Sequence, residues 1–248
     1  MRCPKVAFLG YPLWSVGAIN YQIGKCLDDC DVYHLDWNNE SHVERARSGE
    51  FDTIVGDALI TKILFGSAAA SKTVIPIFHQ NVVELKGTSC FDTDLSLFVK
   101  HFDLYAVSEK VAQSVRDRYN KDCVALDVGV NRDFFPTQEV EDISIIAQVA
   151  DTTKGREYED LKGFDMFDDI CKKSGVKGKR LNGKSFMCGA YIYKEADVVV
   201  CTSKSESLPI VMFECAAMKI PFISTKVGVV TDFDSVKTFE TSDEAAEQ

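Results

Sequence analysis

EADVVVCTSKSESLPIVMFECAAMKIPFISTKVG, residues 195–228, holds a strand, a loop, a helix and a second strand in immediate succession. ADVVVC (196–201) is a short run rich in β-branched residues and reads as a buried strand. TSKSES is a polar loop. Pro209 suits the first helical turn, where the missing N–H is not needed, so a helix is expected over 209–218. The run at 222–224 is the next strand. Two strands joined by a helix form a parallel pair with a crossover, the unit of layered α/β folds.

Two glutamates bracket this helix start. Glu206 stands in the loop, with Ser207 beside it as candidate cap, and Glu214 lies about five residues into the helix. At 1.5 Å per residue that separates them by roughly 7–8 Å along the axis. The free N–H groups and dipole of a helix start attract phosphate. An ionised carboxylate only accepts hydrogen bonds and can take two hydroxyls. Two carboxylates around a phosphate-friendly helix end therefore suit a diphosphate with hydroxyls on both sides, as in a nucleotide sugar. The plainer reading makes Glu206 a loop or capping acid and Glu214 a solvated helix residue.

The same alternation runs through the chain. Strands are expected at 5–10, 31–37, 52–56, 73–79 and 104–107, with Pro76 arguing against a regular central place for the fourth. Helices are expected at 18–27, 41–47, 59–70, 92–101 and 109–119, and a loop with Pro12 and Gly17 follows the first strand. After VGVNRDFFPTQEVED the pattern restarts, with a strand at 143–149 and a helix at 162–173. The expected fold is α/β: two Rossmann-like domains, 1–136 and 137–248, facing a cleft. In such sheets ligands bind at the carboxyl ends of strands. That directs attention to residues 10–17, His79, 154–162 and 202–206.

Composition sets outer limits. The 248 residues are 46% hydrophobic and 27% charged, with a net charge of −10. The two halves carry 14 basic with 18 acidic and 14 basic with 20 acidic residues, so neither is a basic nucleic-acid module by bulk charge. Nine scattered cysteines without CxxC pairs, and no secretory or membrane-length apolar segment, suggest a reducing cytoplasm. Asn39–Ser41 matches a glycosylation sequon by pattern only.

The 195–228 stretch resembles the C-terminal signature of retaining glycosyltransferases of the GT-B fold, family 4. Ala196, Asp197, Ser203, Glu206, Leu208, Pro209, Glu214, Ala217, Pro221 and Gly228 stand in matching places. DVGVNRDFFP (127–136), LKGFDMFDDI (161–170) and YIYKEAD (191–197) resemble further motifs of that family. The likeness is specific over 125–232 and looser before it. It implies an acceptor-side first domain and a donor-side second domain that binds a UDP- or GDP-linked sugar without a metal or other cofactor. Glu206 would bond the sugar hydroxyls, Glu214 the ribose, and Lys162 would pair with the diphosphate. Backbone groups of Gly17, Leu208, Pro209 and Ile210 would add contacts, and Ser203, Ser207 and Tyr193 complete the donor set. His79 resembles a strand-end histidine near sugar and acceptor; it reads equally as a partly buried structural residue. Retention by same-face attack requires no nucleophile.

The chain departs from the family pattern in places. An arginine usual after the strand ending near Val149 is missing, and Lys154 or Arg156 would replace its charge. Between 171 and 191 the family has a further strand–helix–strand unit, where this chain has only KKSGVKGKRLNGKSFMCGA. That segment holds Lys172, Lys173, Lys177, Lys179, Arg180 and Lys184 without an acid, either an anion-facing patch or a solvated loop. A compact enzyme of this kind would suit a virus or phage, with glycan, lipid or modified DNA as acceptor. Two other readings stay open. One is a non-catalytic nucleotide-sugar-binding relative or partner subunit. The other is a single-domain, metal-dependent glycosyltransferase using Asp92 with Asp94 or Asp232 with Asp234. A nicotinamide dehydrogenase lacks its glycine fingerprint here, and a nucleotide-sugar epimerase on the same fold is a further option.

Overall fold

The computed structural model describes residues 3–10, 15–25, 27–65, 73–79, 95–130, 132–150, 155–182 and 189–248. The chain divides into two units, Met1–Gly129 and Val130–Gln248. The division falls before the expected boundary at Pro136 for a packing reason. Phe135 is buried in the second unit's core, and the Gln138 N–H donates to the Met218 carbonyl.

The first unit runs β1 (Lys5–Gly10), α1 (Ser15–Lys25), β2 (Asp31–Asp36), α2 (Glu40–Ser48), β3 (Thr53–Asp57), α3 (Ala58–Phe65), β4 (Thr73–Phe78), α4 (Ser96–Val99), β5 (Leu104–Ala106), α5 (Glu109–Tyr119) and β6 (Cys123–Ala125). Its sheet is parallel, in the order β2-β1-β3-β4-β5-β6. A parallel sheet covered on both faces needs continuous apolar strands, and Val6, Ala7, Phe8 and Leu9 of β1 are all buried. Ser108 caps α5 by accepting from the Val111 N–H at 3.3 Å, and Asn120 ends it in the left-handed region. Helix α1 begins three residues earlier than expected, so Gly17 lies in its first turn and not in a loop. Strand β4 does occupy an interior position despite Pro76. That residue pairs with Gly56 of β3, whereas β5 joins β4 only from Ile77 onward.

The second unit runs β7 (Ile145–Ala150), α6 (Arg156–Lys162), α7 (Phe164–Ser174), β8 (Lys177–Asn182), α8 (Gly189–Tyr193), β9 (Val198–Cys201), α9 (Ile210–Met218), β10 (Phe222–Thr225), β11 (Lys237–Phe239) and α10 (Ser242–Glu247). Its sheet is parallel in the order β11-β10-β9-β7-β8. One apolar cluster joins Ala147, Tyr193, Val199, Cys215 and Met218, and a second joins Ile146, Phe167, Val200 and Phe239. From β7 the chain goes first to β8 on one side and then to β9 on the other. The carboxyl ends of β7 and β9 are thus the point where the strand order reverses, the place where open α/β sheets bind ligands.

Two sequence expectations change here. The stretch after 171 is not bare loop: KGKRLN forms edge strand β8, whose charges suit a sheet edge. Three of its basic residues are answered by acids. Lys173 meets Asp169 and Asp243, each at 2.9 Å, Lys179 pairs with Glu195, and Arg180 with Asp168. Lys184 lies outside the described residues. Two separate sheets also exclude the single-domain alternative, and Asp92 and Asp94 lie outside the described residues. Among the described residues, no helix is long and apolar enough to cross a membrane.

Candidate donor site at the carboxyl ends of the second sheet

The helix expected over 162–173 is α7, which starts at Phe164, and α6 before it is not expected from the sequence. The two helices meet at Gly163, which has a φ of +66°. A Cβ there would overlap the Thr202 carbonyl oxygen and lie 3.0 Å from the Thr202 carbonyl carbon. Glycine is required twice over, for the left-handed backbone and for the close approach. The approach locks α6 onto the loop after β9. Gln148 Nε2 donates to the Lys162 carbonyl and to Thr202 Oγ1, each at 2.7 Å. Thr202 Oγ1 donates to the Lys162 carbonyl at 2.8 Å, and the Lys204 N–H to the Leu161 carbonyl at 2.8 Å.

This bracing delivers the Lys162 side chain to the loop's acid. Lys162 Nζ pairs with Glu206 Oε1, and Ser203 Oγ donates to the same oxygen at 2.8 Å. Both partners are only 19% exposed at the side chain. Tyr158 lies under the ammonium, 5.6 Å from ring centroid to Nζ. Burial disfavours the charged form of Lys162, but the Glu206 carboxylate, with Tyr158 and Cys201, outweighs it and holds the lysine above its ordinary range. The loop is held from its far side too. Thr225 Oγ1 donates to the Ser203 carbonyl at 2.6 Å. Gly228, at φ +56°, lets the Glu206 and Ser207 carbonyls come where a Cβ would be 2.9 Å from each.

Helix α9 starts at Ile210 with Pro209 at its cap position and no side-chain cap. Ser207 is therefore not the cap; proline's extended backbone precedes the helix instead, and Leu208 and Ser207 are partly exposed in the loop before it. Ile210, Met212, Cys215, Ala217 and Met218 of this helix are buried. Glu214 shares that fate at 9% exposure, which overturns its reading as a solvated residue. Its Oε2 accepts from the Tyr193 hydroxyl. Burial pushes the Glu214 carboxyl up to about 7, against the opposing effect of that hydrogen bond.

The remaining candidates are dispersed. Arg156 is exposed at the start of α6, beside the cap residue Gly155. Lys154 lies outside the described residues. Gly17 and His79 belong to the first unit. His79 is buried just after β4, and among the described residues neither ring nitrogen has a hydrogen-bond partner. Burial lowers its pKa to about 3, so the ring is neutral near pH 7. Sequence reasoning missed Gln148 as the bracket for Lys162; its signal is a lone amide in the apolar run ISIIAQV. Chemically, the second unit offers a partly buried ammonium, an acid that accepts hydrogen bonds, and a helix start without a side-chain cap at one strand-order reversal.

Residues 180–246 match the family model described as glycosyl transferases group 1, about a quarter of the chain. No curated protein sequence matches the chain. Among solved structures, sucrose-phosphate synthase from Thermosynechococcus elongatus is similar with a TM-score of 0.66 at 10% identity, over 98% of this chain and 88% of that one. A glycosyltransferase from Rickettsia africae ESF-5 is similar with a TM-score of 0.65 at 15% identity, over 98% and 86%. A chain of the GtfA/B complex reaches 0.52 at 11% identity, over 79% and 48%. The fold is the GT-B one, two Rossmann-like units in one chain.

Proposed function

We propose that the protein is a metal-independent, retaining glycosyltransferase that moves a sugar from a nucleoside-diphosphate sugar to an acceptor hydroxyl. The observation that carries this reading is the Lys162–Glu206–Ser203 cluster beside the start of α9. A partly buried cation and a helix N-terminus side by side favour a diphosphate. The group 1 family match over 180–246 covers Ser203, Glu206 and α9, and Lys162 lies before it.

In this reading the second unit holds the donor. Lys162 pairs with the diphosphate and stabilises it as it leaves. Glu206 exchanges its lysine for the hydroxyls of the transferred sugar. Glu214 accepts from the ribose. Backbone groups around Leu208 and Ile210 and the hydroxyls of Ser203 and Ser207 add contacts, with Lys154 and Arg156 as outer cations. The bond from the anomeric carbon to the diphosphate oxygen breaks, and the acceptor oxygen bonds to the same face. Its proton passes to the departing phosphate. The first unit takes the acceptor, with neutral His79 on that side, and the backbone of Gly17 in the first turn of α1 adds a contact to the donor diphosphate.

A thermal-shift series of nucleotide sugars on wild type and Lys162→Ala tests the donor site. Stabilisation of the wild type alone is the expected result; no stabilisation by any nucleoside diphosphate sinks the proposal. Binding without single-turnover transfer or donor hydrolysis would point instead to a non-catalytic nucleotide-sugar-binding relative.

A further inference from the structure

Tyr193 does not fit a residue in contact with a donor. Its side chain is 0% exposed, packed in the cluster with Ala147, Val199 and Cys215. Phenylalanine would fill that space as well, and a buried hydroxyl is costly unless it is partnered. Its partner is Glu214, on a helix whose other buried side chains carry neither charge nor amide.

We propose that Tyr193 is the positioning residue of the donor site: by donating to Oε2 it orients the Glu214 carboxylate and leaves Oε1 for the ribose hydroxyls. This rests on the reading of Glu214 as the ribose acid. Only the ionised carboxylate accepts on both oxygens at once; the protonated acid turns one of them into a donor. Burial pushes Glu214 up to about 7, and the Tyr193 bond is what works against it. No charged side chain among the described residues is a cause of that shift. Among the described residues, the titratable groups that interact with it are Cys215 on the same helix and Tyr193 itself; burial raises both, so both stay neutral there. Cys201, which acts on Cys215, is likewise raised by burial. Nucleotide affinity therefore rises with pH through a midpoint near 7, which burial raises and the Tyr193 bond holds down.

The test is calorimetric binding of UDP and GDP from pH 5.5 to 8.5 (set by the Glu214 midpoint of about 7). The proteins are the full chain as wild type, Glu214→Gln, Tyr193→Phe and a form with 3-fluorotyrosine at position 193. Each profile is divided by that of Glu214→Gln, which carries the ligand's own phosphate titration. Loss of the bond in Tyr193→Phe moves the midpoint up by about one pH unit and weakens binding at pH 7 by about fivefold. The fluorinated ring, a stronger donor of the same shape, moves it down; it also reads out the bond if Tyr193→Phe does not fold. Profiles of both forms that superimpose on wild type, with Glu214→Gln still weakened, overturn the role of Tyr193 alone. If neither diphosphate binds the wild type at any pH, the donor-site reading falls and this inference with it.

Discussion

Replacing Gly163 by alanine tests the bracing that presents Lys162. The residue sits at φ +66°, and a Cβ would overlap the Thr202 carbonyl. The left-handed backbone alone costs alanine about 1–2 kcal/mol. The overlap is with backbone, which cannot swing aside, so α6 and the loop after β9 must part. Parting strains the bonds to the Lys162 carbonyl from Gln148 and Thr202 and the bond from Lys204 to Leu161. At about 1 kcal/mol for each of the three bonds if lost, the total with the backbone part is about 4–5 kcal/mol. That is a large part of the 5–15 kcal/mol that is typical for a domain. Gly175 is the internal control: its φ is +71°, but among the described residues nothing lies within 4 Å of its Cβ position. Gly175→Ala should cost only the backbone part. Urea unfolding followed by circular dichroism gives both values. Equal losses in the two variants, or a loss within about 1 kcal/mol of wild type for Gly163→Ala, would refute the bracing.

Two pH effects on stability follow from buried groups. The folded pKa of Glu214, about 7, lies above its ordinary value of 4.5, so its contribution is full below about pH 4.5 and is lost as pH rises through 7. The difference in unfolding free energy between wild type and Glu214→Gln should fall by on the order of 2–4 kcal/mol across that window; a flat difference contradicts the burial of the charge. His79 has the opposite sign. Its folded pKa of about 3 lies below the ordinary 6.5, so its contribution is present above 6.5 and is lost as pH falls towards 3. His79→Phe should lose stability less steeply than wild type between pH 6.5 and 3. Parallel acid-unfolding curves would mean that the ring is hydrated.

Much of the fold was legible because its strands are apolar and its helices are punctuated. The run 5–10 became β1 at those bounds, and Ser108 and Asn120 frame α5 over 109–119 as the pattern implies. Strand β8 was illegible because a sheet edge is polar and basic, and its pairing with β7 is a long-range property. The break between α6 and α7 was hidden as well: LKGF is consistent with one helix until the Thr202 carbonyl is set against Gly163. Lys162, Glu206 and Glu214 stood out as candidates from their motifs. Their partners did not. That Lys162 faces Glu206, and that Glu214 is buried against Tyr193, depends on which faces the crossovers bring together.

The most direct measurement of donor use is a single-turnover reaction. Enzyme in excess is mixed with radiolabelled nucleotide sugars, and the released nucleotide and the anomeric configuration of the sugar product are read together. The expected result is release of a nucleoside diphosphate by the wild type, a product with the donor's configuration, and loss of both in Glu206→Gln and Lys162→Ala. Binding with no released nucleotide, an inverted product, or unchanged turnover in Lys162→Ala would contradict it.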